Sequence, residues 1–261
     1  MHTQIYLVVA FADELFKGNP AAIVKLNKWL DEDLMQKIAS ENNLAETGFI
    51  APVDNKLHIR WFTPTTEVDL CGHATLAAAH ILFTHEDFEG DQVIFHSKSG
   101  ILKVDNNFEY LTLDFPVDTI QQVNQLPELK KLDTEYLVEE VYRGKTDLMF
   151  VFKKEKHIAE YVPDFDLIRQ LDCRGLIITA PGENTDFVSR FFGPQTGINE
   201  DPVTGSAHTT LTPYWAKRLK KDSLTAAQLS RRGGNLTCEL KGDRVFIGGT
   251  CKTFLKGELF I

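Results

Sequence analysis

The feature that most constrains how this chain folds is an internal repeat, in which the second half restates short motifs of the first. The motif Arg-Trp-Phe-x-Pro at residues 60–64 returns as Arg-Phe-Phe-x-Pro at residues 190–194. Three further pairs keep the same order: residues 51–52 with 180–181, residue 72 with 205, and residues 99–102 with 233–236. Four ordered matches at a nearly constant offset of about 130 residues indicate a duplicated structural unit.

Both halves show the same order of predicted elements. A helix precedes a strand that ends in Ala-Pro, a second strand ends in an aromatic pair, and a loop leads into a helix opened by glycine. The apolar spacing from Trp29 to Ile38 predicts the leading helix of the first half, and residues 164–171 hold its shorter counterpart. Strands outnumber helices, which predicts an α+β fold with each half a sheet wrapped around one helix.

The two glycine-opened helices differ in character. The first, at residues 74–83, has almost no polar face, and a helix that is apolar all round must be buried on all sides. The second, at residues 206–219, is more polar and contains Pro213, which is expected to kink it or to remove one backbone hydrogen bond.

The polar run at residues 117–131 is the predicted crossover between the halves. We therefore expect an N-terminal half at residues 1–116 and a C-terminal half at residues 117–253. The C-terminal strand at residues 254–261 is a candidate to complete the N-terminal half.

Charge and cysteine usage exclude several classes of protein. A net charge of −9 argues against a nucleic-acid or anionic-membrane partner, since either needs a basic surface. The N-terminus lacks the basic segment and the length of a signal peptide or membrane span, and it predicts a first β-strand. The four cysteines are scattered without a Cys-x-x-Cys motif, so free thiols and a cytoplasmic location are expected. The eight histidines form no metal-binding motif, and no metal is expected.

The helix openings are candidate anion sites, because the first backbone N–H groups of a helix are unpaired and lie at the positive end of its dipole. Gly72 and Gly205 start the two openings, although each glycine could equally serve close packing. Chemistry-bearing residues are distributed unequally over this repeated frame. Glu46 has Gly175 as its counterpart in the second half, and the acidic Glu200-Asp201 pair has Leu70-Cys71.

His73 at the first opening is matched by Ser206 at the second. Such a distribution fits a duplicated scaffold that has specialised for proton transfer. Each residue also has an ordinary structural interpretation: Glu46 as a solvated loop carboxylate, Asp201 and Ser206 as helix caps, and His73 as a histidine satisfied at a helix start.

Several motifs together resemble those of the PhzF-like phenazine-biosynthesis isomerase family, over essentially the whole chain. The matching segments are Phe16-x-Gly18-Asn19-Pro20, Ala45-Glu46-Thr47, Leu70-Cys71-Gly72-His73-Ala74-Thr75, Leu113-Asp114-Phe115-Pro116, Asp201-Pro202-Val203-Thr204-Gly205-Ser206-Ala207-His208, Gln228-x-Ser230-x-Arg232-Gly233-Gly234 and Gly248-Gly249.

This resemblance implies a diaminopimelate-epimerase-like fold of two pseudo-symmetric halves, each a rolled, mostly antiparallel sheet around a central helix. It also implies an isomerase that uses no cofactor, acts on a small carboxylate-bearing molecule and forms a homodimer. By position in these motifs, Glu46 would move the proton, and His73, Asp201 and Ser206 would position and polarise the substrate around it. The candidate substrate-binding residues are Ser206, Gly72, Ala74, Gly205, Asn19 and Cys71.

Two alternatives remain open from the sequence. The resembling epimerases use one cysteine from each half, but here only Cys71-Gly72 is kept, and the second opening reads Pro-Val-Thr-Gly at residues 202–205. An epimerase would therefore need Cys71 paired with a carboxylate, either Asp201 or Glu46. The other alternative is a small-molecule-binding protein that kept the fold and lost the chemistry.

Overall fold

In the computed structural model, which describes residues 2–132 and 137–261, the chain divides into two units. The first unit comprises Met1–Asp114 and Gly248–Ile261, and the second comprises Phe115–Ile247. The last strand of the chain thus belongs to the unit that contains the first strand.

The first unit is built from strands and two helices. The strands are β1 (His2–Ala10), β2 (Asn19–Lys25), β3 (Glu46–Val53), β4 (Lys56–Phe62), β5 (Glu67–Val68), β6 (Gln92–Ser97), β7 (Gly100–Asn106) and β8 (Leu111–Pro116), and the helices are α1 (Glu32–Asn42) and α2 (Gly72–His85). Strand β1 pairs antiparallel with β2, β2 pairs parallel with β3, and β3 pairs antiparallel with β4. Strand β4 then pairs antiparallel with β5 and parallel with β6. Strand β6 pairs antiparallel with β7, and β7 pairs antiparallel with β8.

Helix α2 is the central helix of this unit. It packs against β1, β2, β3 and β7, and its residues from Gly72 to Ala79 are buried without exception. The sequence explains this placement, because a helix with no polar face gains most free energy when every side leaves water. The prediction of a buried helix at this position is confirmed.

The second unit repeats the plan with more short helices. Its strands are β9 (Gln121–Gln122), β10 (Val138–Arg143), β11 (Asp147–Phe152), β12 (Gly175–Pro181), β13 (Phe187–Gly193), β14 (Ile198–Asp201), β15 (Ser223–Gln228), β16 (Gly234–Lys241) and β17 (Arg244–Gly249), and its helices are α3 (Leu129–Leu132), α4 (Glu155–Glu160), α5 (Phe165–Arg169) and α6 (His208–Leu219). The chain ends with β18 (Cys251–Phe260), which pairs antiparallel with β1 in the first unit.

The strand pairings show the repeat more clearly than the sequence does. Strand β10 pairs antiparallel with β11, β11 parallel with β12, and β12 antiparallel with β13. Strand β13 pairs antiparallel with β14 and parallel with β15, which pairs antiparallel with β16. This is the order found from β1 to β7, so the predicted α+β fold with two similar halves is confirmed.

Two details differ from the sequence-based prediction. Helix α1 begins at Glu32, and Trp29 lies before it, because the Asp31 side chain accepts a hydrogen bond from the Asp33 N–H and caps the helix there. The second glycine-opened helix starts as a 3₁₀ turn at Gly205–Ala207, and α6 proper begins at His208.

Pro213 lies inside α6 without ending it. Proline has no N–H to donate to the carbonyl four residues earlier, which belongs to Thr209. That carbonyl instead accepts a hydrogen bond from the Asp118 N–H at 3.2 Å. The crossover segment therefore satisfies the backbone group that the proline leaves open.

All four cysteines are free thiols, as expected from their scattered positions. Within the described ranges, no helix has both the length and the apolar character that crossing a membrane requires.

Candidate active site

Glu46 is the first residue of β3, directly after the turn that ends α1. Asn43 closes α1 in a left-handed conformation, with φ of 48°, and its N–H donates to the Ala39 carbonyl. Strand β3 then runs parallel to β2, with Glu46 opposite Ala21. The Glu46 side chain is only 14% exposed, so the interpretation as a solvated loop carboxylate is wrong.

His73 meets Glu46 from the start of α2. Its Nε2 atom lies 3.2 Å from Glu46 Oε2, and the His73 side chain is 6% exposed. The two atoms are close but not aligned for a hydrogen bond, and both are buried without a hydrogen-bond partner among the described residues. Glu46 Oε2 can therefore still accept a hydrogen bond or a proton from a bound molecule.

The other ring nitrogen of His73 lies close to two neighbours. Nδ1 lies 3.2 Å from the Asn19 amide nitrogen and 3.6 Å from Cys71 Sγ. Asn19 is fully buried at the start of β2 and follows Gly18, whose φ is +65°. A side chain at Gly18 would place its Cβ 2.3 Å from the Ala10 carbonyl oxygen, so the tight turn that delivers Asn19 requires glycine.

The surroundings of His73 and Cys71 set their charges. Burial lowers the pKa of His73, but interactions with Cys71 and Glu46 outweigh it, so this pKa lies well above its ordinary value. Burial, assisted by the Glu46 charge, raises the pKa of the Cys71 thiol to about 11. At neutral pH His73 is therefore an imidazolium, and Cys71 is an uncharged thiol.

In the second unit, Asp201 is the last residue of β14 and begins a tightly bonded turn. Its Oδ2 accepts from Thr204 Oγ1 at 2.5 Å, and its carbonyl accepts from Gln228 Nε2 at 2.7 Å. Gln228 also accepts the Thr204 N–H through Oε1 at 2.8 Å. These bonds fix Asp201 relative to the helix opening at Gly205.

Ser206, in the 3₁₀ turn, is oriented by an ion pair between Arg174 and Asp147 that was not predicted from the sequence. Its Oγ accepts a hydrogen bond from Arg174 Nη1 at 3.0 Å, and Arg174 makes a bidentate contact to Asp147, which is buried. Because Arg174 uses the acceptor side of the hydroxyl, the Ser206 proton remains to be donated. The only sequence signal was that Arg174 precedes Gly175, the counterpart of Glu46.

Gly175 begins β12 as Glu46 begins β3, so the two positions are structurally equivalent. The space that a side chain would take at Gly175 is filled by the ring of Phe191, whose Cζ would lie 2.3 Å from an added Cβ. The second unit therefore has no room for a carboxylate at this position. The packing of Phe191 thus explains why Glu46 has a glycine, and no second carboxylate, as its counterpart.

The structure brings Glu46, His73, Cys71 and Asn19 together in the first unit, with Gly72 and Ala74 in the same first turn of α2. In the second unit it places Asp201, Gly205 and Ser206 within one short segment. The roles assigned to these residues from the sequence remain predictions.

His208, the first residue of α6, gives a prediction on stability. It is fully buried and its Nδ1 donates to the Thr204 carbonyl at 2.9 Å, so the ring is neutral and burial lowers its pKa to about 4. The unfolded chain binds a proton near the ordinary value of 6.5, so stability is full above that pH and falls as the pH drops towards 4. We expect His208 to account for about 2 kcal/mol of the free energy of unfolding lost between roughly pH 7 and 5.

Urea unfolding at a series of pH values measures this loss. His208→Gln should flatten the pH dependence, whereas His2→Gln, which changes a histidine with an exposed side chain, should not. If the free energy of unfolding of His208→Gln depended on pH as steeply as that of the wild type, groups other than His208 would cause the loss of stability in acid.

Comparison with known proteins agrees with this architecture. The family model for phenazine biosynthesis-like proteins matches residues 8–257. The chain is 46% identical to a protein of Pseudomonas aeruginosa named as an uncharacterized isomerase, over 99% of both chains. It superposes on a PhzF-family crystal structure from Enterococcus faecalis with a TM-score of 0.96 at 50% identity, covering 100% of both chains.

A predicted epimerase of Pseudomonas aeruginosa shares the fold, with a TM-score of 0.77 at 18% identity over 99% of both chains. The match of the family model to nearly the whole chain, together with the relatives named as isomerases, identifies the protein as a member of the phenazine biosynthesis-like (PhzF) family and as an isomerase.

Proposed function

We propose that the protein is a cofactor-independent isomerase that moves a proton within a small carboxylate-bearing metabolite, with Glu46 as the proton carrier. The observation that supports this most is the buried Glu46 carboxylate, whose Oε2 has no hydrogen-bond partner among the described residues although His73 lies 3.2 Å away. A carboxylate that can take a proton from one carbon and return it to another needs this accessible oxygen.

The start of α2 supplies a place for the substrate carboxylate. Its N-cap residue, Cys71, makes no side-chain capping hydrogen bond, and the first backbone N–H groups of a helix have no partner within the helix, which suits an anion. The 3₁₀ turn at Gly205–Ala207 likewise has no side-chain cap from Thr204. Both openings are therefore proposed as carboxylate-binding segments.

The neighbouring groups have distinct proposed roles. The His73 imidazolium stabilises the negative charge that builds up on the substrate when Glu46 removes a proton. Asp201 binds a polar substituent such as an amine or hydroxyl. Ser206 donates its remaining proton to a substrate oxygen, since Arg174 already occupies its acceptor side.

Proton NMR in D₂O tests the proposal. Purified protein is incubated with a panel of small unsaturated and β-substituted amino acids, including 2,3-dihydro-3-hydroxyanthranilate. Deuterium incorporation or double-bond migration without added cofactor, and after dialysis against a chelator, is the expected result. Activity that disappears on dialysis and returns only with a cofactor would contradict the proposal.

Cys71→Ser separates this mechanism from an epimerase that uses the thiol as a base. Burial raises the pKa of Cys71 to about 11, so the thiol carries its proton at neutral pH and is a poor base. A serine hydroxyl can replace its weak contact to His73, and turnover should fall by less than about tenfold. Complete loss of turnover with the fold intact would favour the thiol mechanism.

The homodimer and the cytoplasmic location implied by the resemblance are also proposals. Size-exclusion chromatography with light scattering tests the first, with a particle of twice the 29.5 kDa chain mass as the expected result.

A further inference from the structure

Three side chains with different metal-binding atoms meet in the first unit. A carboxylate oxygen of Glu46, a ring nitrogen of His73 and the sulfur of Cys71 lie within 4.8 Å of one another. Their positions along the chain form no metal-binding motif, so this set of ligands could not be predicted from the sequence. Carboxylate, imidazole and thiolate are the three protein ligand types that Zn²⁺ prefers.

The distances are close to those a metal ion needs. Ligand atoms around a tetrahedral Zn²⁺ lie about 3.3–3.8 Å apart, given metal–ligand bonds of about 2.0–2.3 Å. Cys71 Sγ is already 3.6 Å from His73 Nδ1, and Glu46 Oε2 is 3.2 Å from His73 Nε2. One ring nitrogen has to serve both partners, which requires a contraction of about 1 Å in the longest separation. The Glu46 side chain, with three rotatable bonds, can supply it.

Two further observations point to a ligand at this place. His73 Nε2 and Glu46 Oε2 are buried without a hydrogen-bond partner among the described residues, on side chains that are 6% and 14% exposed. Charge also balances, because Zn²⁺ bound by a thiolate, a carboxylate and a neutral imidazole forms a complex with no net charge. A neutral complex avoids the large penalty of burying an isolated ion.

We propose that Glu46, Cys71 and His73 form a binding site for a thiophilic divalent metal ion of the Zn²⁺ type, with solvent as the fourth ligand. The thiol and imidazolium protons pass to solvent when the ion binds. If Nε2 is the metal ligand, Nδ1 carries the ring proton, and the Asn19 amide, whose nitrogen lies 3.2 Å from Nδ1, has to turn its oxygen towards the ring to hold it. This site goes beyond the proposed function, which needs no metal.

Inhibition of turnover by Zn²⁺ is a consequence of this site that rests on the proposed function. Glu46 cannot carry a proton while it is a metal ligand, so bound Zn²⁺ should stop turnover and a chelator should restore it. The same residues would then make the enzyme sensitive to free zinc.

Direct metal binding tests the site without reference to activity. Metal-free protein is titrated with Co²⁺, whose tetrahedral complexes are intensely coloured and show a sulfur-to-cobalt charge-transfer band only when a thiolate is bound. The expected result is one Co²⁺ per chain with that band, displaced by one equivalent of Zn²⁺. Cys71→Ser should abolish the band, and His73→Gln and Glu46→Gln should each weaken binding by at least about tenfold.

Cys251→Ser is the matched control, because it makes the same change at a cysteine outside the cluster. It should leave the band and the affinity unchanged, and circular dichroism establishes that each variant is folded. A band that persists in Cys71→Ser, the absence of any band in the wild type, or unchanged affinity in Glu46→Gln would overturn the site. If the site is present but turnover is insensitive to Zn²⁺, the role proposed for Glu46 fails while the metal site stands.

Discussion

Glu46→Gln is expected to lower turnover by about 10² to 10⁴-fold, the range found when a group that transfers a proton is removed. Glutamine keeps the shape of the side chain at the start of β3 but cannot accept a proton at physiological pH. The substitution removes the negative charge beside His73 and so costs some stability, but glutamine keeps the volume of the side chain and the fold should persist. The measurement is the rate of deuterium incorporation in D₂O, with thermal unfolding recorded in parallel.

Glu41→Gln is the matched control for this substitution. Glu41 lies near the end of α1, five residues before Glu46, and is exposed to solvent. The same chemical change there should leave the rate within about twofold, since surface substitutions away from special features have small effects. Undiminished turnover in Glu46→Gln would contradict the role of Glu46, and an equal loss in both variants would point to a general effect of charge.

Gly175→Glu introduces a glutamate at the position of the second unit that is equivalent to Glu46, and it should destabilise the protein by about 3 kcal/mol. An added Cβ would lie 2.3 Å from Cζ of Phe191 and 2.9 Å from two other ring carbons. That ring is 6% exposed and packs under the Arg174 guanidinium at 5.2 Å, so it cannot move into open space. The shift of the urea-unfolding midpoint measures the effect.

Gly257→Glu provides the control for introducing the same side chain. A Cβ at Gly257 meets its nearest atom, in Leu255, at 3.4 Å, which is ordinary van der Waals contact. The double variant Gly175→Glu/Phe191→Ala should be more stable than the sum of the two single changes predicts, because the alanine removes the clash. Additive effects would show that Phe191 is not what excludes a side chain at Gly175.

Together these substitutions examine why a repeated fold carries its proposed proton carrier only once. The first unit leaves space at the head of β3 and places a positive His73 beside it. The second unit fills the same space with an aromatic ring, and its polar groups, Asp201 and Ser206, lie at the end of β14 and in the 3₁₀ turn after it. Both units have the same strand order, and the packing at the first residue of β3 and of β12 determines which unit can hold a carboxylate there.

Much of the fold could be predicted from the sequence. The ordered matches between residues 60–64 and 190–194 and their neighbours predicted two similar units, because strand ends and helix starts demand particular residue types. The apolar run in α2 predicted a central buried helix for the same reason. The start of α1 could not be predicted from the spacing, since Trp29 continues the helical spacing of apolar residues but lies before the capping Asp31. Periodicity reports which face is buried and does not report where the backbone stops being helical.

The sequence by itself determined the family, the repeated α+β frame and the identity of the candidate residues, because these depend on local patterns and on motifs within a few positions. Only the tertiary structure decided which groups touch. Glu46 and His73 are 27 positions apart, and Ser206 lies 32 positions from Arg174, so their contacts follow from strand pairing and helix packing. Burial keeps the Cys71 thiol neutral, whereas the neighbouring groups keep the His73 ring charged against the effect of burial. Both effects are properties of the assembled unit and leave no local trace in the sequence.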